Sequence, residues 1–198
     1  MKPAIRLLAP ILVCMLSSMT MHGAAPAAEV DALKAGVFNP PREAPDFSVL
    51  GSDGTALTLS RYRGKVVVLG FGYTSCHSVC PATLAVLAQA HRQLGALGSQ
   101  VQVIYLTVDP ERDSPERLKQ FLAAFDPTFV GGTGSAAQMA AVRTSYGVTA
   151  QKVGTGSDYG IAHSSFIYLI TREGKLRALM PFGHKADDYV HDISMLLN

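Results

Sequence analysis

The residues of this chain best suited to chemistry are two cysteines four positions apart, Cys76 and Cys80. A thiolate can act as a nucleophile, as one half of a redox couple, or as a ligand for a soft metal ion such as Cu(I). The pair is therefore compatible with a structural disulfide, a redox site or a metal site. A disulfide over so short a loop would constrain the unfolded chain very little, which disfavours a purely structural function.

The cysteines lie where a predicted strand gives way to a predicted helix. Residues 65–71 are a continuous apolar, β-branched run, typical of a strand buried on both faces. Helical spacing follows, and Pro81 is tolerated in a first helical turn. We expect the helix to begin at or just after Cys76. Both sulfurs would then share one helix face, and the N-terminal N–H groups would lower the thiol pKa.

One of the six histidines is a candidate third ligand. His163 follows a glycine-rich segment and precedes a strand predicted over residues 165–170. The expected sheet brings the start of that strand close to the first helix, so His163 can face the cysteines. A loop histidine bonded to the backbone is the alternative. Two cysteines and one imidazole would suit copper, whereas zinc usually takes a fourth ligand.

Three further polar residues are candidates to support the site or to contact a partner. His77 should point away from the shared sulfur face, where it would tune the thiolates or meet a partner rather than bind the ion. Asp109 and Asp113 follow a buried strand predicted over residues 101–108. Asp113 could instead cap the helix predicted over residues 116–125, but Asp109 has no such explanation.

The remaining pattern predicts an α/β protein. An N-terminal β-hairpin (residues 47–50 and 56–59) precedes the central strand, and a helix is predicted over residues 135–146. A second hairpin pairs residues 165–170 with 176–180, and a helix over 185–197 closes the chain. This order predicts a thioredoxin-like fold, with a central mixed β-sheet flanked by helices.

The N-terminus has the features of an export signal. A basic start is followed by an apolar run over residues 7–16, which is shorter than the about 20 residues that a membrane helix needs. We expect a signal peptide over residues 1–27, with an uncleaved inner-membrane anchor as the alternative. Residues 28–45 are predicted as a linker and residues 46–198 as the copper-binding domain. The protein would then be extracytoplasmic, in a bacterial periplasm.

The charge balance excludes one class of partner. The chain has 17 Lys and Arg, 15 Asp and Glu, and a formal net charge of +2. Lys2 and Arg6 lie in the predicted signal, so the mature protein would be close to neutral. Nucleic-acid binding requires clustered basic surface, and we therefore expect no nucleic-acid partner.

Several segments, in this order, resemble the Sco/SenC family of copper proteins. The resemblance covers roughly residues 40–198 and is carried by Phe71-Gly72-Tyr73-Thr74, Cys76-x-x-x-Cys80-Pro81, Thr107-Val108-Asp109-Pro110-Glu111-Arg112-Asp113-Ser114-Pro115, Phe129-Val130-Gly131-Gly132-Thr133-Gly134, and His163 before the strand Phe166-Ile167-Tyr168-Leu169-Ile170. It implies a thioredoxin fold that binds one copper ion per chain through Cys76, Cys80 and His163.

The same resemblance implies a function in assembling the copper A centre of cytochrome c oxidase. Such proteins deliver copper to the copper-bearing subunit, reduce its cysteines, or both. Another periplasmic copper chaperone or a thioredoxin-like reductant would be a further partner. The alternative is an extracytoplasmic thiol-disulfide oxidoreductase that uses only the redox pair Cys76 and Cys80. A thiol peroxidase is less favoured, because no arginine lies within residues 74–81.

Overall fold

The computed structural model describes residues 32–198. Its main feature is an eight-stranded mixed β-sheet. The strands are β1 (Gly36–Glu43), β2 (Ser48–Gly51), β3 (Ala56–Thr58), β4 (Val66–Gly72), β5 (Val101–Thr107), β6 (Val130–Thr133), β7 (Ala150–Val153), β8 (Gly160–His163), β9 (Ile167–Ile170) and β10 (Lys175–Met180). The helices are α1 (Val79–Gln93), α2 (Pro115–Ala123), α3 (Ala136–Ser145) and α4 (Ala186–Leu197). The sheet order is β1-β10-β9-β4-β5-β6-β2-β3, and β7 pairs with β8 in a separate two-stranded ribbon.

Strand β4 lies at the centre of the core, as its sequence predicts. All its residues are buried, and it pairs in parallel with β5 and antiparallel with β9. Gly72 at its end lies opposite Thr107 at the end of β5. The two strands therefore finish at the same edge of the sheet, from which the chain leaves towards the cysteines.

The predicted hairpins and helices are confirmed with small shifts of their bounds. Strand β2 pairs antiparallel with β3, and β9 pairs antiparallel with β10. Helix α1 packs against α4, and α2 packs against β6. Ser114 and Ser135 cap α2 and α3 by accepting backbone N–H groups of the first turn, which fixes where both helices begin.

The prediction of a linker over residues 28–45 is wrong for residues 36–43. Residues 36–43 form β1, an edge strand that pairs antiparallel with β10. Almost every side chain of β1 is exposed, so the strand lacks the apolar alternation that would reveal it. Pro40 and Pro41 fit because an edge strand leaves N–H positions unpaired. The folded domain thus begins before residue 46.

The sequence also failed to predict β6 and the β7–β8 ribbon. Strand β6 contains Gly131 and Gly132, and a Cβ on Gly132 would lie 2.5 Å from the Leu106 side chain. Glycine is needed there for close packing, and it conceals the strand pattern. The predicted signal at residues 1–27 lies outside the described residues. No helix within residues 32–198 is long and apolar enough to cross a membrane.

Candidate metal centre

The two cysteines meet at the start of α1, although not in the expected way. Helix α1 begins at Val79, so Cys76 lies in the preceding turn and only Cys80 is helical. The prediction that both sulfurs share a helix face is therefore wrong. The turn after β4 brings them together instead, because the backbone N–H of Cys80 lies 3.5 Å from the Cys76 sulfur. Both cysteines are free thiols.

Cys76 is the more reactive thiol. Burial alone would raise its pKa, but the backbone N–H groups of Ser78, Cys80 and Val79 point at the sulfur and together lower the pKa below its ordinary value. This is the expected effect of a helix N-terminus on a thiol beside it. The side chain is also partly exposed. Cys76 can therefore present a thiolate to a metal ion or to a disulfide.

The pKa of Cys80 is shifted in the opposite direction. The residue is 3% exposed, and burial raises its pKa to about 12, although the Tyr105 hydroxyl and the Tyr73 backbone N–H offset part of that rise. At neutral pH this sulfur holds its proton. It becomes a thiolate only when a metal ion or an attack on a disulfide replaces that proton.

His163 reaches the same place from the ribbon. It is the last residue of β8, and its Nε2 lies 3.7 Å from the Cys80 sulfur. Its Nδ1 lies 2.8 Å from the Ser164 carbonyl oxygen, which can only accept a hydrogen bond. The proton is therefore assigned to Nδ1, and the Nε2 lone pair faces the sulfur. Burial lowers the pKa of His163, which favours the neutral imidazole that metals require.

The three predicted ligands form a chain of contacts rather than a closed cage. Cys76 contacts Cys80, and Cys80 contacts His163. No three His, Cys, Asp or Glu side chains within residues 32–198 already surround a single metal position. The donor set of two sulfurs and one imidazole fits copper by its chemistry. Binding would require the three donors to approach a single metal position more closely.

Asp113 holds the turn that carries Cys76. Its buried carboxylate accepts hydrogen bonds from the backbone N–H of Thr74 (3.1 Å), from the Thr74 hydroxyl (2.5 Å) and from the Thr107 hydroxyl (2.7 Å). It therefore joins the ends of β4 and β5 just before the cysteines. The capping explanation for Asp113 is wrong, because Ser114 supplies the side-chain cap of α2.

Asp109 holds the ribbon that carries His163. Its carboxylate, which is 2% exposed, accepts hydrogen bonds from the Tyr159 hydroxyl (2.8 Å) and from Nε of Arg112. The Arg112 guanidinium also lies over the Tyr159 ring, 3.7 Å from its centroid. A second tie comes from the backbone N–H of Ile161, which donates to the Tyr73 hydroxyl at 3.1 Å. Asp109 thus supports the site by fixing the ribbon.

Sequence reasoning missed Arg112, Tyr159 and Tyr73 as positioning residues. Each makes at least one contact with a segment distant in the chain, and no period or spacing signals such a contact. A tyrosine inside the glycine-rich segment was the only available hint for Tyr159. His77 is exposed and contacts none of the predicted ligands by hydrogen bond, so its function stays a prediction.

A known protein family matches most of this chain. The family model described as SCO1/SenC matches residues 38–198, which is most of the chain. The chain belongs to the SCO1/SenC family. The resemblance seen in the sequence is thereby confirmed, and the match begins within β1 and includes both cysteines, the ribbon and α4.

Individual members of the family are similar to this chain in sequence and in structure. The bovine mitochondrial SCO2 homologue is 40% identical over 133 residues, covering 65% of this chain and 50% of its own length. ScoI of Bradyrhizobium japonicum, solved with copper bound, is 35% identical with a TM-score of 0.73, covering 78% of this chain and 99% of its own. The chain thus spans about half of the bovine relative but nearly all of the solved ScoI domain.

A third solved structure bears on the cysteines. BsSco, described as a member of the Sco family of cytochrome c oxidase assembly proteins with a disulfide switch, is 25% identical with a TM-score of 0.64. The match covers 79% of this chain and 94% of BsSco. Together with the mixed sheet and its flanking helices, these structures confirm the predicted thioredoxin-like α/β fold of this Sco/SenC protein.

Proposed function

We propose that this Sco/SenC protein binds one copper ion through Cys76, Cys80 and His163 and serves in the assembly of cytochrome c oxidase. The observation that carries the proposal is the 3.7 Å contact between the Cys80 sulfur and Nε2 of His163, with the lone pair of the imidazole facing the sulfur. The copper-bound ScoI structure and the oxidase-assembly description of BsSco support it. Its cargo would go to the copper A centre of the copper-bearing subunit.

The unequal thiols suggest an order of events during loading. Cys76 has the lowered pKa and the partial exposure, so it is the first ligand to meet the ion. Cys80 must then lose its proton, which makes loading release a proton near neutral pH. His163 is already neutral and has Nε2 free to coordinate. A thiolate ligand that regains its proton easily also favours release to a partner.

Copper titration of the reduced protein tests the ligand set. We expect one copper per chain in the wild type and at least roughly a hundredfold weaker binding in His163→Ala, since a ligand is lost from a three-donor site. His77→Ala is the matched control, because His77 is exposed beside the cysteines. Unchanged affinity in His163→Ala, or an equal loss in His77→Ala, would contradict the proposed ligands.

Thiol-disulfide exchange is a second candidate function, and the asymmetry of the two cysteines favours it. The Cys76 thiolate would attack a partner disulfide and form a mixed disulfide, releasing one partner thiolate. Cys80 would then attack Cys76, forming the Cys76–Cys80 disulfide and releasing the second partner thiol. The pair loses two electrons and the partner gains them. A low-pKa attacking thiol and a buried resolving thiol suit that order.

Reductase assays separate the two candidates. A protein that only exchanges disulfides keeps full activity in His163→Ala and loses it in Cys76→Ser and Cys80→Ser. A copper-delivery protein loses delivery in all three variants. A thioredoxin-like reductant or another copper chaperone would act upstream, and we propose a periplasmic location for these exchanges. Cell fractionation of the full chain tests that location, and recovery in the cytoplasmic fraction would contradict it.

A further inference from the structure

The hydroxyl of Tyr105 is buried beside the cysteines and makes no hydrogen bond of normal geometry, although it is close enough to Cys80 to offset part of the rise in the thiol pKa. Tyr105 lies on β5 and is 2% exposed. Within residues 32–198, its oxygen and one nitrogen of Arg112 are the two buried side-chain polar atoms that bond to nothing. Buried polar groups are nearly always paired, so an unpaired hydroxyl calls for a physical reason. The buried Tyr168, by contrast, donates to the Tyr146 carbonyl oxygen at 2.8 Å.

The unpaired hydroxyl and the Cys80 sulfur share the space over Gly72. A Cβ on Gly72 would lie 1.7 Å from the Tyr105 hydroxyl oxygen and 2.9 Å from the Cys80 sulfur. These two distances limit the separation of oxygen and sulfur to at most 4.6 Å. The absent side chain of Gly72 leaves room for both groups, and nothing else holds the hydroxyl hydrogen, which is free to rotate towards the sulfur.

The Cys80 sulfur has few other donors. The Cys76 sulfur is surrounded by backbone N–H groups of Ser78, Val79 and Cys80. Cys80 has the backbone N–H of Tyr73 and faces the lone pair of His163, which cannot donate. A charged sulfur at this buried position needs hydrogen-bond donors because water is excluded from it.

We propose that the Tyr105 hydroxyl is a positioning and tuning residue that donates a hydrogen bond to the Cys80 sulfur when copper is bound. The inference rests on the proposed copper-binding function and adds to it a residue outside the three ligands. In the metal-free protein the hydroxyl oxygen lies near the sulfur without making a hydrogen bond of normal geometry. Once the sulfur becomes a metal-bound thiolate, the same hydroxyl has a strong acceptor within reach.

The hydrogen bond has two consequences that can be measured. It withdraws electron density from the sulfur, so charge transfer from sulfur to Cu(II) requires more energy. It also stabilises the buried thiolate and thereby strengthens binding. A hydrogen bond to a charged group is large enough to change affinity roughly tenfold.

Tyr105→Phe tests the proposal, with Tyr168→Phe as the matched control. Both variants remove one buried hydroxyl from a central strand, but only Tyr105 adjoins Cys80. We expect Tyr105→Phe to move the sulfur-to-copper(II) absorption band to lower energy and to weaken copper binding roughly tenfold. Its urea midpoint without metal should equal or exceed that of the wild type, because no native hydrogen bond is lost. Tyr168→Phe should lower the urea midpoint and leave the band unchanged.

The outcomes separate this inference from the function on which it rests. If the wild type binds no copper, the proposed function fails and the inference falls with it. If the wild type binds copper and Tyr105→Phe has the same band at full loading, the inference alone is overturned. An equal band shift in Tyr168→Phe overturns it as well. Failure of Tyr105→Phe to fold also overturns it, because the hydroxyl would then have a structural function.

Discussion

The predicted ligands come from two regions that differ in how they are held in place. The cysteines lie at the end of β4 and the start of α1, against the fully buried centre of the sheet. His163 lies on the β7–β8 ribbon, which pairs with no strand of the main sheet and whose β7 side chains are mostly exposed. One region is part of the core, and the other is attached to it.

The contrast shows where rigidity and adjustability lie in the site. Core packing fixes Cys80, which is 3% exposed, whereas Cys76 lies in the partly exposed turn that Asp113 holds. The ribbon is held by one core residue, Ile161, and by the polar contacts that link Asp109 to Tyr159 and Tyr73 to the Ile161 N–H. Each such contact contributes only about 1 kcal/mol. His163 is therefore the ligand whose position can change at small cost, which suits a protein that must take up an ion and release it.

Adding one methyl group to the core and one to the ribbon, in separate variants, should reveal their difference in rigidity most strongly. Gly72→Ala forces a Cβ to 1.7 Å from the Tyr105 hydroxyl oxygen, whereas the nearest atom to a Cβ on Gly160, in β8, is 3.8 Å away. We expect Gly72→Ala to lower the free energy of unfolding by about 3 kcal/mol through overpacking. Gly160→Ala should change it by less than about 0.5 kcal/mol. Urea unfolding measures both, and similar losses would contradict a rigid core beside an open ribbon.

The two cysteines should be alkylated at very different rates, because only Cys80 is buried in the core. The backbone N–H groups hold the pKa of Cys76 below its ordinary value, whereas burial raises that of Cys80 to about 12, so at pH 8 the thiolate fraction of Cys76 is far larger. The lower nucleophilicity of the more acidic thiol offsets part of this difference, and we expect Cys76 to react at least roughly tenfold faster than Cys80. Peptide mass spectrometry after brief iodoacetamide treatment of the reduced protein measures the ratio. The rate at Cys80 should rise about tenfold per pH unit up to pH 11, since only its thiolate reacts. Equal rates at pH 8 would show that Cys80 is not buried as described.

The difference between the buried core and the β7–β8 ribbon also explains which features the sequence could predict. Strands β4 and β5 are buried on both faces, so their apolar runs identify them and place the cysteines at a strand end. The start of α1 was misplaced because Ser75 and Ser78 are both acceptable N-cap residues, although Pro81 lies in the first turn only of the helix that begins later. Local signals therefore found the site but not its backbone geometry.

The ribbon and its supports could not be predicted in this way. Strands β7 and β8 are short, β7 is mostly exposed, and a glycine-rich segment joins them, so no apolar alternation marks them. The contact between Asp109 and Tyr159 joins residues that are 50 positions apart. Only the family resemblance assigned His163 to the cysteines, because the spacing of the residues left a backbone-bonded loop histidine equally open.

Two aspartates of one loop provide a matched test of the two regions. Asp113 bonds to Thr74 beside the cysteines, and Asp109 bonds to Tyr159 in the segment that joins β7 to β8. Asp113→Ala should speed amide hydrogen exchange at Thr74 and Cys76 about tenfold and leave Ile161 unchanged. Asp109→Ala should speed exchange at Ile161 about tenfold and leave Thr74 unchanged. If either variant loosens both regions equally, the site is one cooperative unit.

The smallest expected effect comes from a single hydroxyl of the ribbon. Tyr159→Phe loses the hydrogen bond to Asp109 but keeps the ring that stacks on Arg112. We expect copper affinity to fall only about threefold, because one hydrogen bond of modest net energy restrains His163. The control is Lys152→Ala in β7, which removes an exposed ion pair with Glu111 and an ammonium group 4.4 Å from the Tyr159 ring centroid but leaves the hydrogen bond from Tyr159 to Asp109 in place. That pair is solvated, so its loss should leave the affinity unchanged. A larger effect of Lys152→Ala that disappears at high salt would mean that surface charge, and not the buried contact of Asp109, holds the ribbon in place.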